Sequence, residues 1–281
     1  MQLVTTIQEV RDIVKQWKKE DLTVGFVPTM GYLHEGHASL MKEARKRDDK
    51  VVVSVFVNPM QFGPSEDLDS YPRDINADSK LCEEMGVDLI FHPEPSEMYH
   101  DDFCSFTDIN GLSNHLCGLS RPIHFRGVCT VLNKLFNIVM PDRAYFGQKD
   151  AQQAAIVKQF VKDLNLPLEI VRCPIIREAD GLAKSSRNTY LSAEERKAAL
   201  ILSKAIFLGQ ELVEKGETSA KKVTDQMTDL IKTEPLADIE YVTAVNGLTM
   251  EEVDEIKDPT LVAIAVRIGK TRLIDNFVVE K

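Results

Sequence analysis

Two histidines close to a glycine are the first residues whose types and spacing could do chemistry. His34 and His37 lie three positions apart, and Gly36 directly precedes the second histidine. His-x-x-His on a helix can bind zinc, but zinc proteases separate the pair by four positions, and no third ligand is obvious from the sequence. The two imidazoles could also simply cap or pack against a helix. Neither interpretation makes use of the glycine.

A phosphate site is the interpretation that accounts for all three residues. A helix predicted to begin near Gly36 would present unpaired backbone N–H groups and the positive end of its dipole to an anion. Gly36 would let the ligand approach the backbone, and the imidazoles would donate hydrogen bonds to phosphate oxygens that gain charge in a transition state. We therefore rank phosphate binding first, proton transfer second and metal binding last.

A P-loop is the other phosphate site that the glycine spacing suggests. Gly31 and Gly36 have the spacing of half a Walker A loop. His37 and Ala38 then stand where that motif requires Lys followed by Ser or Thr. A P-loop nucleotide hydrolase is therefore not predicted.

Three further polar clusters follow predicted strands. They span residues 58–61, 147–153 and 177–188. In an open parallel sheet, ligands bind beyond the carboxyl ends of the strands. We therefore expect these clusters and the histidine loop, although distant in sequence, to converge on one edge of a sheet.

Hydrophobic periodicity predicts alternating strands and helices over the first part of the chain. Residues 50–57 are almost entirely apolar and β-branched, as in a central parallel strand that is buried on both faces. Further strands are predicted at 23–28, 88–91, 143–146 and 168–171, with a short one at 104–109. Helices are predicted at 6–19, 36–47, 75–85, 127–139 and 150–164. This alternation predicts an α/β fold, a Rossmann-like parallel sheet with helices on both faces.

The pattern changes near residue 177, where a second, smaller α+β domain is predicted to begin. Ser192 and Glu195 have the spacing of a capping box, which would open a single long helix ending near Gly216. A second helix at 220–232 is followed by strands at 239–245, 260–268 and 272–279. A tight turn joins the last two strands and implies an antiparallel sheet. The predicted domains are therefore 1–176 and 177–281.

Composition limits the classes of function. The chain has 281 residues, 43% of them apolar, and a net charge of −10, which argues against general binding of nucleic acid or anionic membranes. No run of 18 apolar residues and no signal-peptide pattern is present. The five cysteines are widely spaced and form no Cys-x-x-Cys. We therefore expect a reduced, cytoplasmic protein without a membrane span.

Four strings of residues carry a resemblance to a known family. His34-x-Gly-His37 after a first strand is similar to the signature of the nucleotidyltransferase superfamily that includes class I aminoacyl-tRNA synthetases. The strings are Phe26-Val-Pro-Thr-Met-Gly-Tyr-Leu-His-Glu-Gly-His37, Val55-Phe-Val-Asn-Pro-Met-Gln-Phe62, Tyr145-Phe-Gly-Gln-Lys-Asp150 and Ser185-Ser-Arg-Asn188. Together they resemble the pantothenate synthetase (pantoate–β-alanine ligase) family over essentially the whole chain.

The resemblance implies an ATP-dependent ligase that condenses (R)-pantoate with β-alanine in pantothenate and coenzyme A biosynthesis. Pantoate would attack the α-phosphorus of ATP to give pantoyl adenylate and pyrophosphate, and β-alanine would then displace AMP. It also implies Mg²⁺ carried by ATP, a homodimer, and a lid function for residues 177–281 beside a nucleotide- and pantoate-binding domain at 1–176.

Roles for individual residues come from the same resemblance. The catalytic positions are His34, His37, Lys149, Ser185, Ser186 and Arg187, with His37 as proton donor. The ATP-binding positions also include Met30, Gly31, Gly36, Gly147, Gln148, Asp150, Ile176 and Lys184. The pantoate and β-alanine positions are Met30, Asn58, Gln61 and Gln153. No metal ligand is assigned, because Asp78 lies near a family metal position but has Ala77 beside it. Lys184 departs from the methionine that is frequent in the family.

Three alternatives remain at the level of sequence. The first is another adenylyl- or cytidylyltransferase on the same scaffold, which would transfer a nucleotide without forming an amide. The second is an RNA-binding module, against which the net charge and the lack of a basic appended domain argue. The third is a non-catalytic metal-binding protein that uses the two histidines.

Overall fold

The computed structural model describes residues 1–64 and 66–280. By its internal contacts the chain divides into two compact units. The first comprises Met1–Gly147 and Ile156–Cys173, and the second comprises Gln148–Ala155 and the chain from Pro174 onward. The domain boundary that the sequence places between residues 176 and 177 stays a prediction.

The first unit contains a six-stranded sheet in which every pairing is parallel. Its strands are β1 (Gln2–Val4), β2 (Val24–Thr29), β3 (Lys50–Val55), β4 (Leu89–Phe91), β5 (Arg143–Gly147) and β6 (Glu169–Cys173). Their order in the sheet is β1-β4-β3-β2-β5-β6, which places β2 and β3 at the centre. The predicted parallel sheet is confirmed.

Helices cover both faces of this sheet. They are α1 (Ile7–Lys19), α2 (Glu35–Arg47), α3 (Ile75–Glu84), α4 (Pro95–Met98), α5 (Cys117–Ser120), α6 (His124–Val139) and α7 (Ala151–Asp163), whose first five residues belong to the second unit. Consecutive residues of a strand point to opposite faces. Val27 of β2 packs in a core cluster with Met41 of α2, whereas the ring of Phe26 lies edge-on to Phe136 of α6, 6.3 Å away.

The second unit is an α+β arrangement with its own core. Its antiparallel sheet contains β7 (Ala237–Asn246), β8 (Thr260–Ile268) and β9 (Thr271–Val279) in that order. Its helices are α8 (Ala193–Ala198), α9 (Leu200–Glu214) and α10 (Ala220–Ile231). Val262, Ile264 and Val266 of β8 are fully buried in one cluster with residues of the helices. The predicted hairpin of the last two strands is confirmed.

Two predicted elements differ from the structure. Residues 104–109 form no strand, so that prediction is wrong: the backbone N–H and carbonyl of Thr107 both bond the hydroxyl of Thr130 and have no strand partner. The single helix predicted from Ser192 is divided at Ala199, where Leu202 donates a hydrogen bond to the carbonyl three residues back.

Within the described residues no helix combines the length and apolar character that a membrane crossing needs.

A close contact between α6 and residues 59–61 generates the first testable prediction. A Cβ at Gly127 would lie 2.2 Å from the carbonyl oxygen of Met60 and 2.6 Å from Cα of Gln61. Gly127→Ala must therefore displace backbone, and we expect it to lower the free energy of unfolding by about 1–3 kcal/mol, measured by urea denaturation.

Gly63→Ala is the matched control for this prediction. A Cβ there would meet its nearest heavy atom at 3.7 Å, an ordinary contact. We expect Gly63→Ala to change the free energy of unfolding by less than about 0.5 kcal/mol. Equal effects of the two substitutions would contradict the close packing of α6 on this turn.

Candidate active site

The two histidines of the loop after β2 cap the N-terminus of α2. His34 is the N-cap residue, and its Nδ1 accepts a hydrogen bond from the backbone N–H of Gly36 at 3.1 Å. His37 reaches back, so that its Nδ1 accepts from the backbone N–H of His34 at 3.3 Å. The two rings lie 4.2 Å apart between centroids. The imidazoles therefore form a reciprocal capping box, a role normally filled by Ser or Thr with Glu or Gln.

These capping bonds determine which nitrogen of each ring carries the proton. A neutral imidazole that accepts a hydrogen bond through Nδ1 has its proton on Nε2. Both His34 and His37 accept through Nδ1, so Nε2–H is the donor of each ring. The capping interpretation and the phosphate interpretation are thus compatible, because they use different nitrogens. Two N–H donors beside a positive helix end suit an anion.

Asp78 of α3 holds the loop that leads to the histidines. Its two carboxylate oxygens accept from the backbone N–H of Tyr32 at 2.9 Å and of Leu33 at 2.6 Å. Burial raises the pKa of Asp78, and the two N–H bonds oppose part of that rise. Gly31 has φ +85°, and a Cβ there would lie 2.8 Å from Val55 and 3.0 Å from the Asp78 carboxylate. Sequence reasoning missed this role, since no local pattern links positions 45 apart.

The hydrogen bonds of Asp78 also bear on whether side chains of the protein could hold a metal ion. Both oxygens of Asp78 are engaged by backbone N–H groups. Across residues 1–64 and 66–280, no group of three or more His, Cys, Asp or Glu side chains is placed to hold a metal ion. The oxygens of Asp78 therefore serve the backbone of the histidine loop.

The turn after β3 brings together three of the predicted substrate residues. Asn58 donates through Nδ2 to Gln61 Oε1 at 3.0 Å and to the carbonyl of Gly127 at 3.1 Å. The hydroxyl of Tyr99 donates to Asn58 Oδ1 at 2.8 Å. Gln61 Nε2 lies 3.2 Å from the sulfur of Met30. Asn58 and Gln61 are both buried, so their amides are held in fixed orientations.

Arg121 and His124 support this turn and were missed from the sequence. The carbonyl of Gln61 can only accept, so His124 Nδ1, 3.1 Å away, is the donor. His124 Nε2 then accepts from Arg121 at 3.1 Å. Arg121 also donates twice to the Glu66 carboxylate, at 2.7 Å each. Burial raises the pKa of Glu66, but the bonds from Arg121 outweigh it and leave that pKa below its usual value.

The predicted 147–153 cluster follows β5. Gly147 ends the strand, and Gln148–Asp150 form a 3-10 turn before α7, which begins at Ala151, one residue later than predicted. The Lys149 ammonium lies 3.6 Å from the Asp150 carboxylate. Gln153 lies in the first turn of α7. Lys149, Asp150 and Gln153 therefore lie close together in the chain, within the second unit.

The 177–188 segment of the second unit is a folded loop with a paired stem. The N–H of Lys184 donates to the carbonyl of Ile176 at 2.9 Å, and Arg177 pairs with Ala183 as an antiparallel bridge. Ser185 caps a 3-10 turn over Ser186–Tyr190 by accepting from the N–H of Arg187 at 3.3 Å. The structure therefore brings together the predicted ATP positions Ile176, Lys184, Ser185, Ser186 and Arg187.

These features define the class of the protein. It is an α/β protein whose parallel sheet carries polar and imidazole side chains beyond the carboxyl ends of β2 and β3, the edge at which such sheets bind ligands. The family model of pantoate-beta-alanine ligase matches residues 2–278. The chain is 62% identical to the pantothenate synthetase of Ruminiclostridium cellulolyticum over 99% of this chain and 98% of that one. It therefore belongs to the pantoate-beta-alanine ligase family.

Solved structures agree with this membership. The pantothenate synthetase of Thermus thermophilus matches with a TM-score of 0.95 and 42% identity, covering 100% of both chains. The pantoate-beta-alanine ligase of Francisella tularensis, solved in complex with beta-gamma ATP and beta-alanine, matches with a TM-score of 0.81 and 32% identity. That match covers 99% of this chain and 97% of the other.

The anchoring of the histidine loop by Asp78 gives the second testable prediction. Asp78→Ala would leave the half-buried N–H groups of Tyr32 and Leu33 without their acceptor. We expect amide hydrogen exchange at these two residues to accelerate at least ten-fold, and the free energy of unfolding to fall by about 1–3 kcal/mol.

Asp74→Ala is the control for this prediction. Asp74 caps the same helix, accepting from the N–H of Ala77 at 3.0 Å. Its loss should cost about 1 kcal/mol without accelerating exchange at Tyr32 and Leu33. Unchanged exchange in Asp78→Ala would contradict the anchoring role.

Proposed function

We propose that the chain catalyses the ATP-dependent condensation of (R)-pantoate with β-alanine, giving pantothenate, AMP and pyrophosphate through a pantoyl-adenylate intermediate. Family membership over the whole chain supports the reaction, and the complex of a relative with beta-gamma ATP and beta-alanine supports two of the substrates. The observation that carries the mechanism is the α2 N-terminus, where capping leaves Nε2–H as the donor of His34 and His37.

In the first half reaction, a carboxylate oxygen of pantoate attacks the α-phosphorus of ATP. The bond from that phosphorus to the bridging oxygen of pyrophosphate breaks, so negative charge grows on the leaving group. Catalysis of phosphoryl chemistry consists mainly of positioning and neutralising such charge. His34 and His37 would donate through Nε2–H, with His37 as proton donor, and Met30, Gly31 and Gly36 line the same loop. In the second unit, Lys149 would supply a compact charge for phosphate.

Further residues would bind ATP. The proposed set is Gly147 at the end of β5 together with, in the second unit, Gln148, Asp150, Ile176, Lys184, Ser185, Ser186 and Arg187. Hydroxyl, ammonium and guanidinium groups all donate hydrogen bonds to phosphate oxygens. Bound Mg²⁺, which we propose to arrive with ATP, would neutralise phosphate charge while held by phosphate and water oxygens.

In the second half reaction, the amine of β-alanine attacks the acyl carbon of pantoyl adenylate. The amide bond forms as the carbon–oxygen bond to AMP breaks, and the amine loses a proton. We propose that Gln61 and Gln153 bind pantoate, and that Asn58 and Gln61 lie near β-alanine. The thioether of Met30 is a weak acceptor, so Gln61 Nε2 can exchange it for a substrate oxygen at little cost. Met30 would then pack against the pantoate methyl groups.

The proposal also covers the oligomeric state and the cellular location of the protein. We propose a homodimer in the cytoplasm. The dimer rests on the family resemblance, and the location rests on cysteine usage. Sedimentation at micromolar concentration would test the dimer, with a single species of 31.6 kDa as the contrary result.

Pyrophosphate release from ATP and Mg²⁺ tests the reaction. We expect one equivalent per active site with D-pantoate alone, none with β-alanine alone, and multiple turnover with formation of pantothenate when both are present. Pyrophosphate release without amide formation would favour another nucleotidyltransferase on this scaffold. No release under any condition would contradict the proposal.

Substitutions of His37 separate its catalytic nitrogen from its capping nitrogen. The side-chain oxygen of Asn can replace Nδ1 as acceptor of the His34 N–H, but Asn places no donor at the position of Nε2. We expect both His37→Asn and His37→Ala to lower the adenylation rate about 100-fold or more, and only His37→Ala to lose about 1 kcal/mol of stability.

His100→Asn is the matched control, because His100 is exposed. It should leave the single-turnover release of pyrophosphate unchanged. Near-normal release in His37→Asn would show that Nε2 of His37 takes no part in the chemistry.

A further inference from the structure

Asn276 of β9 attaches the 148–150 turn to the second sheet. Its side-chain Nδ2 donates to the carbonyl of Gln148 at 3.1 Å and to the carbonyl of Lys149 at 2.9 Å. Its Oδ1 accepts from Gln148 Nε2 at 2.7 Å. Asn276 is only 4% exposed. One buried amide therefore makes three hydrogen bonds to the turn that carries Lys149.

The neighbouring residue, Asp275, holds the stem of the 177–188 loop. Its carboxylate accepts two bonds from the Arg177 guanidinium, at 2.6 Å and 3.0 Å. Arg177 also donates to the carbonyl of Gly181 at 3.1 Å and lies over the ring of Phe207. The Asp275 side chain is 1% exposed. A planar guanidinium paired at both ends of its fork with a buried carboxylate has little freedom to move.

The two residues reach their targets from opposite faces of one strand. β9 pairs with β8 in continuous register through this region, so Asp275 and Asn276 point to opposite sides. Asp275 shares its side with Leu273 and Phe277, which belong to the core cluster of the second unit. Side chains on the two faces of β9 thus bond two segments that are far apart in sequence.

We propose that Asp275 and Asn276 are positioning residues for ATP: together they fix Lys149 relative to the 184–187 segment. The inference rests on the proposed function. It assigns a role to β9, a strand to which the proposed function gives none. The lysine side chain is long and flexible, so the place of its charge depends on where its backbone is held. Misplacement of a catalytic group by about 1 Å can cost about 100-fold in rate.

Two substitutions of Asn276 test the proposal. Asn276→Asp keeps the size of the side chain but loses both donated bonds and sets a carboxylate against two carbonyl oxygens. Asn276→Ala removes the contacts without adding charge, and so serves if the charged variant does not fold. For both we expect the KM for ATP to rise and single-turnover pyrophosphate release to slow at least ten-fold. The reaction of supplied pantoyl adenylate with β-alanine should change less than three-fold.

Asp275→Asn tests the other half of the pair. It retains an acceptor for Arg177 but removes the charge that holds both ends of the guanidinium. We expect the same selective loss in the first half reaction, smaller than for Asn276→Asp. Leu273→Ala is the control, because Leu273 is a core residue of the same strand. It should lower stability and leave both half reactions and the KM for ATP within two-fold of the wild type.

The outcomes separate this inference from the proposed function. Equal slowing of both half reactions, or unchanged constants in both Asn276 variants, would overturn the positioning role. If the wild type forms no pantothenate, the proposed function fails on its own. Calorimetric binding of ATP to the folded proteins then decides the inference: weaker binding in Asn276→Ala than in Leu273→Ala supports it, and equal binding overturns it.

Discussion

The N-terminus of α2 is capped by two imidazoles, and the chemistry that we propose for the first unit depends on that arrangement. Most helices use a hydroxyl or carboxylate to satisfy their first N–H groups. Here Nδ1 of His34 and of His37 does this work. The hydrogen bonds that begin the helix also fix the ring tautomers and hold the two rings together. Folding of a single turn therefore prepares two Nε2–H donors at the positive end of a helix dipole.

The other segments that carry candidate residues are held in a similar way, by buried polar side chains from distant parts of the chain. Asp78 holds the histidine loop, and His124 supports the turn that contains Gln61. In the second unit, Asn276 and Asp275 hold the 148–150 turn and the 177–188 stem. Buried polar groups are costly unless they are bonded. Each of these anchors has at least two partners, so it stabilises the fold and restrains a loop at the same time.

The elements of the fold could largely be predicted from sequence, because buried parallel strands and amphipathic helices leave clear periodic patterns. The β-branched run at 50–57 predicted β3, and the capping boxes at Thr6 and Ser192 predicted where two helices begin. The segment at 104–109 was misassigned, because its apolar residues look strand-like while its backbone bonds a threonine side chain. The anchors could not be predicted, since Asp78 and Asn276 act across separations of 45 and 127 positions. The candidate site residues themselves could be proposed from the sequence, because they lie in short motifs of neighbouring residues.

Transfer of labelled oxygen tests the central claim, that pantoate is activated as an acyl adenylate. The carboxylate of pantoate would be labelled with ¹⁸O and the protein supplied with ATP, Mg²⁺ and β-alanine. Attack at the α-phosphorus, followed by cleavage of the acyl carbon–oxygen bond, predicts one ¹⁸O atom in the phosphate of AMP and none in pyrophosphate. Label in inorganic phosphate or pyrophosphate, or unlabelled AMP beside newly formed pantothenate, would contradict the account.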